Sequence, residues 1–137
     1  MRGSGGGVVL DASALIAFLR AEPGHLRVAE ALEAGAGAVS AVTRTEVLGK
    51  LVGSGSYTEG EVRGALEALT DVLEVVPFDL EQSDLAAFWY ARRRPYNLSL
   101  GDCVCLALAE ARGLGVLTAE RAWAGLPNLR VAVHPVR

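Results

Sequence analysis

Val8-Val9-Leu10-Asp11-Ala12-Ser13-Ala14-Leu15 opens as a short apolar run, breaks at an acid and a small polar turn, and resumes as an apolar helical pattern. The run is too short for a helix and carries β-branched valines, so it reads as a strand over 8–10, a turn over 11–13 and a helix from Ala14 to Arg20. The alternation recurs downstream. Ala38 to Val42 is a second apolar run, followed by Thr43 and a segment with Val47, Leu48, Leu51 and Val52 on one helical face. Gly53-Ser54-Gly55-Ser56 breaks the chain, and Thr58 can cap a helix whose Val62, Ala65, Leu66 and Leu69 share a face. Leu73 to Phe78 reads as a strand and Asp79 to Arg93 as a helix stopped by Pro95. From Ser99, an apolar stripe of Leu100, Cys103, Val104, Ala107, Leu108 and Ala111 runs to Gly113, with Leu106 and Ala109 apolar on the other side, predicting a central helix. Gly115 to Thr118 then reads as a strand, Ala119 to Ala124 as a short helix and Leu129 to Val133 as a last strand. Strands separated by helices pair in parallel through right-handed crossovers, which predicts an α/β domain of three layers, helices covering both faces of a mainly parallel sheet. In such sheets ligands bind beyond the carboxyl ends of the strands, where the strand order reverses.

Composition sets the outer bounds. A length of 137 residues suits one domain, expected over residues 8–137, and the glycine-rich residues 1–7 read as a flexible lead-in, native or partly left over from cloning. With 51% apolar and 21% charged residues, disorder is excluded. Cys103 and Cys105 stand two apart in a helical pattern, too poorly aligned to bridge, and neither Cys-x-x-Cys nor a nearby His pair supports a zinc site. The thiols read as small buried apolar groups. There is no uncharged apolar stretch long enough for a membrane span and no apolar leader, so the expected location is cytoplasmic. His25 and His134 are too isolated for paired acid–base catalysis, and no glycine-rich phosphate loop occurs.

Four acids stand at comparable places. Asp11 follows the first strand, Glu46 lies in Thr43-Arg44-Thr45-Glu46 after the second apolar run, Asp102 opens the central helix, and Glu120 follows Thr118-Ala119 at the end of a later strand. In a parallel sheet these junctions share one edge, so the carboxylates converge. Convergent carboxylates repel one another unless a cation sits among them, and magnesium or manganese takes such oxygens while keeping several waters. One or two such ions support hydrolysis of a phosphodiester. Each acid also has an ordinary structural reading. Thr43-x-x-Glu46 and Ser99-x-x-Asp102 both match a capping box, Asp11 can cap the first helix, and Glu120 can complement a helix dipole.

Taken together, the segments 8–15, 40–47, 98–109 and 116–123 resemble, in order and spacing, a PIN-domain ribonuclease, and most of all the VapC toxins of bacterial toxin–antitoxin pairs. The resemblance implies a three-layer α/β/α fold, a Mg2+- or Mn2+-dependent cut in RNA, a homodimer, and inhibition by a small antitoxin. It assigns the acidic set to Asp11, Glu46, Asp102 and Glu120, with Asp11 and Asp102 as principal metal ligands and Ser13 and Thr118 as supporting polar positions. Two departures stand out. Glu120 is one methylene longer than the usual Asp, and Cys103 replaces a common Arg.

The bases comprise twelve arginines and a single lysine, Lys50. Arg92-Arg93-Arg94, followed by Pro95 and Tyr96, lies just before the Asp102 segment and is the expected RNA-backbone contact, with Tyr96 free to stack on a base. The competing reading is a solvated helix end whose arginines complement the dipole. Phe88, Trp89 and Tyr90 are expected to pack in the core or a dimer seam, and Leu48, Leu51 and Val52 in the core, with a dimer or antitoxin groove as their alternative. A net charge of −3 argues against binding nucleic acid by bulk charge. Setting the four acids aside leaves twelve against thirteen bases, so the acidity is concentrated at the proposed metal site. Two other functions compete with a toxin: a housekeeping PIN nuclease in RNA maturation, and an acid pocket used without turnover as a phosphorylatable receiver or a metal-binding regulatory module, a reading that wants a lysine near the pocket as phosphate partner, for which Lys50 is the one candidate.

Overall fold

The computed structural model describes residues 7–137, so the lead-in expected over 1–7 lies, apart from Gly7, outside the described residues. The elements are β1 (Val8–Leu10), α1 (Ala12–Arg20), α2 (His25–Glu33), β2 (Gly37–Ser40), α3 (Ala41–Gly53), α4 (Glu59–Glu67), β3 (Leu73–Val76), α5 (Leu80–Ala91), α6 (Leu100–Arg112), β4 (Gly115–Thr118) and β5 (Val133–Pro135). Short 3-10 turns occupy Arg94–Tyr96 and Arg121–Gly125.

The five strands form one parallel sheet in the order β3-β2-β1-β4-β5. Val8 sits opposite both Gly37 and Gly115, so β1 lies at the centre. The chain steps outward from β1 through β2 to β3, then crosses back to place β4 on the other side of β1. The order therefore reverses between β1 and β4, whose carboxyl ends carry Asp11 and Thr118. Alternation along each strand builds the layers. Val9, Ala38 and Val116 pack with α5 and α6, whereas Leu10, Val39 and Leu117 pack with the α1–α4 layer. Helix α6 is enclosed on all sides, with every residue from Cys103 to Ala109 buried, as its two apolar faces predict. Each Leu or Val so enclosed contributes about 1.5–3 kcal/mol of hydrophobic stabilisation.

Local chemistry moves several boundaries. The second strand ends at Ser40, not Val42, because the Ser40 hydroxyl accepts the Val42 N–H (3.1 Å) and starts α3 at Ala41. Thr43 is thereby buried inside the first turn, and the Thr43–Glu46 capping box does not form. The last strand is Val133–Pro135 and not 129–133. Asn128 turns in the left-handed region (φ 66°), and Leu129 and Val131 instead pack on the α6 side of the sheet before the chain enters register with β4. Helix α2 has no counterpart in the sequence reading. Its N-cap is Gly24, with no side-chain cap bond, and only Val28 and Leu32 are buried, so its start signal and apolar face are both weak. Gly24 itself is dictated by tertiary structure: its φ is +93°, and a Cβ there would overlap the Val136 carbonyl. The box expected at the start of α6 forms between Ser99 and Asp102, and the Thr58 cap expected for α4 forms as part of a box with Glu61.

Candidate active site

Asp11 is the hub. It caps α1, its Oδ1 accepting the Ala14 N–H at 2.8 Å, and it is 3% exposed. The Thr118 hydroxyl at the end of β4 donates to Oδ2 at 2.6 Å, and the Ser13 hydroxyl lies 2.7 and 2.9 Å from the two carboxylate oxygens. Ser13 in turn accepts the Ala119 N–H (2.9 Å) and Thr118 accepts the Glu120 N–H (2.8 Å), so both hydroxyls are oriented to donate toward Asp11. This network ties β1 to β4 across the switch point. Burial pushes the Asp11 carboxyl up from 3.8 to about 6 against the lowering effect of its hydrogen bonds, with the Asp102 charge adding a smaller upward push. The group is thus a buried acid short of positive charge. A carboxylate offers about four lone-pair sites, and three donors leave one for a cation.

Asp102 stands at N3 of α6, where Oδ2 accepts the Ser99 N–H (2.8 Å) and the Ser99 hydroxyl accepts the Asp102 N–H (3.1 Å). Its capping role is real and leaves Oδ1 without a hydrogen-bond partner among the described residues. Glu46 reaches across from the second turn of α3 and lies flat against Gly101. A Cβ at Gly101 would collide with its carboxylate. Burial raises the Glu46 pKa, opposed by Lys50 one helical turn away and reinforced by Asp102. Glu120 is exposed at the N-cap of the Arg121–Gly125 turn but makes no capping bond there.

All four acids line one cavity of about 240 Å³, together with Ala12, Ser13, Ile16, Glu22, Lys50, Ser99 and Arg137. Residues from β1, α3, α6 and the end of β4 meet there because their carboxyl-edge junctions are adjacent in a parallel sheet. A larger cavity of about 980 Å³ runs along 34–39 and 70–75 and is lined mainly by apolar and glycine residues, with Arg112 paired to Glu74 at its edge (3.0 Å). The chemistry-bearing groups concentrate in the smaller one. Among the described residues, no three His, Cys, Asp or Glu side chains are gathered into a ready metal cage. That arrangement still suits magnesium, which keeps its waters and takes one or two protein carboxylates rather than a full protein shell. Cys103 and Cys105 take no part: burial pushes the Cys103 thiol up to about 11 and raises Cys105 well above its ordinary value.

The arginine run does not line the cavity. Arg92 and Arg93 fold back onto α5, donating to the Phe88 and Tyr90 carbonyls (2.9 and 2.8 Å) and stacking over the same residues' rings at 3.8 and 3.9 Å. This is the helix-end arrangement, although the Arg93 charge still reaches the start of α6, where it lowers the Cys103 pKa. Trp89 is core, held by its indole N–H to Glu110 (3.1 Å), while Phe88 and Tyr90 remain exposed. Glu22, Lys50 and Arg137 are the charged lining residues that sequence reasoning did not place. Lys50 carried a faint signal, four residues after Glu46, whereas Glu22 and Arg137 arrive by tertiary packing alone.

A model of the PIN domain matches residues 8–128, which span all four acids and the whole switch-point network. The chain belongs to the PIN-domain family. PIN domains are nucleases. A search of curated proteins finds no sequence match. Among solved structures, this PIN domain is similar to a chain of DNA-bound VapBC from Salmonella typhimurium (TM-score 0.74, 19% identity, covering 96% of this chain and 98% of that one). It is similar also to a chain of a toxin–antitoxin complex from Klebsiella pneumoniae (0.68, 21%, 96% and 98%). A third is VapBC-5 from Mycobacterium tuberculosis (0.63, 23%, 95% and 98%). At these identities the likeness is one of fold.

Proposed function

We propose that this PIN domain is the toxin of a VapBC-type toxin–antitoxin pair, a Mg2+- or Mn2+-dependent endoribonuclease that hydrolyses RNA phosphodiester bonds. The observation that carries the proposal is the meeting of Asp11, Glu46, Asp102 and Glu120, from four separate elements, around one cavity at the switch point of a PIN-family sheet. In this reading Asp11 and Asp102 hold the ion, each with a carboxylate lone pair left over from its structural hydrogen bonds. Glu46 and Glu120 complete the acidic set, Glu120 from the exposed rim. A bound divalent ion supplies positive charge against that building on the phosphate and makes a nearby water more acidic. Ser13 and Thr118 fix the Asp11 carboxylate in one orientation. Arg94 and Tyr96, exposed beyond the cavity, serve with Arg92 and Arg93 as an outer RNA contact.

The antitoxin partner rests on the VapBC and toxin–antitoxin complexes in which the similar folds occur. A homodimer and a cytoplasmic location belong to the same proposal, and no helix among the described residues is long and apolar enough to cross a membrane. The test is to map new RNA ends across the cell after brief expression of wild type and Asp11→Asn. Discrete cuts made by the wild type alone are expected. Identical maps would overturn the nuclease assignment, and cuts confined to maturing precursors, without growth arrest, would favour the housekeeping role over the toxin.

A further inference from the structure

The acid cavity has two cationic walls. Lys50, the chain's one lysine, projects from the last turn of α3, exposed, and its charge acts on Glu46. Among the described residues its ammonium has no ion-pair or hydrogen-bond partner. Arg137 comes from beyond β5, and its position is imposed rather than chosen by a mobile side chain. The Val136 N–H is bonded to the Thr118 carbonyl (2.8 Å), and the Val136 carbonyl sits against Gly24, where no Cβ fits. The Arg137 Nη1 donates to the Pro23 carbonyl at 2.8 Å and lies 3.9 Å from Glu22. Its Nε and Nη2 have no hydrogen bond among the described residues.

A polyanion entering a cavity lined by five carboxylates is repelled, and a metal ion offsets this only at the oxygens it touches. Oxygens farther along the backbone need donors of their own. Lys50 supplies a point charge and Arg137 a planar fork matched to phosphate. They are the only two basic side chains among the lining residues, and the prominent Arg92–Arg94 run is spent partly on helix carbonyls.

We propose that Lys50 and Arg137 are the phosphate-binding side chains of this site, each gripping a backbone phosphate of single-stranded RNA beside the bond to be cut. The proposal rests on the nuclease reading and specifies how its substrate is held. Gly24 is then a positioning residue, since the tail that carries Arg137 seats only where residue 24 lacks a side chain.

The test uses the full chain with a short labelled single-stranded RNA, measuring binding by anisotropy in chelator across a salt series and cleavage kinetics in magnesium. Lys50→Ala and Arg137→Ala, both surface changes, should each weaken binding roughly tenfold and reduce the salt slope by about one phosphate contact. KM should rise with kcat little changed. Lys50→Arg should keep the wild-type salt slope, and Gly24→Ala should reproduce Arg137→Ala. If the wild type cuts RNA and both alanine variants match it in affinity, slope and KM, the two-arm assignment is overturned while the nuclease reading stands. If the wild type neither binds nor cuts any RNA offered, the nuclease reading falls and this assignment with it.

Discussion

Replacing Asp11 by Asn should change how the metal-free protein's stability depends on pH, by an amount that follows from where the residue sits. Its carboxyl titrates near 3.8 when exposed and at about 6 in the fold, with burial the largest cause. Below pH 3.8 the group is protonated in both folded and unfolded chains, and above about 6 it is ionised in both. Between these values the folded chain holds a proton that the unfolded chain has lost, so stability falls as pH rises through this window. A shift of this size corresponds to about 3 kcal/mol, at about 1.4 kcal/mol per pH unit. At neutral pH the cost persists until a cation is bound. The Asn variant keeps the volume without the titration, so the wild-type-minus-variant difference in unfolding free energy should decline by about 3 kcal/mol between about pH 3 and pH 7 and then level off. Subtracting the variant removes the contributions of the other acids. Urea unfolding in chelator at a series of pH values measures this directly. Added magnesium at pH 7 should then stabilise the wild type in proportion to the logarithm of its concentration and leave Asp11→Asn nearly unmoved. Parallel pH profiles for the two proteins would refute the idea that Asp11 is a buried acid awaiting a cation.

Three further outcomes are expected. Thr118→Val removes the 2.6 Å donor to Asp11 and should cost about 1–3 kcal/mol of stability while weakening magnesium affinity roughly 10–100-fold, read by thermal unfolding and calorimetric titration. Gly101→Ala adds helix propensity worth roughly 1 kcal/mol but forces the Glu46 carboxylate aside, so the melting temperature should hold or rise while RNA cleavage collapses; full cleavage by a stable variant would contradict the described contact. Glu110→Ala leaves the Trp89 indole and the Arg130 N–H without their acceptor and should destabilise by roughly 2–3 kcal/mol, with kcat unchanged in the fraction that remains folded.

Lys50 and the arginine run show how a correct pattern can mislead about place. Three consecutive arginines beside a tyrosine are the conspicuous basic feature of the chain, yet two of them close onto their own helix, because a guanidinium near a helix end finds the last carbonyls, which lack a full set of intrahelical donors, within reach. Lys50 is inconspicuous in sequence and lines the site one helical turn beyond Glu46. The capping alternatives divide in the same way. Ser99-x-x-Asp102 is a box and a cavity acid at once, since one carboxylate oxygen serves each purpose, whereas Thr43-x-x-Glu46 fails because Ser40, three residues earlier, starts the helix.

The sequence alone determined the alternation of strands and helices, the central helix α6 and the presence of an acid at each of four junctions. These are local properties, set by side-chain periodicity of two or 3.6 residues and by the chemistry of caps. Only the tertiary structure decided which junctions face one cavity, that Asp11 is buried under Thr118 from 107 residues away, and that Glu22 and Arg137 join the same wall. Strand order, the burial that raises a pKa, and the close approach of Gly24 to Val136 all depend on contacts between segments far apart in the chain. A one-dimensional pattern carries no distance between such segments; the packed sheet does.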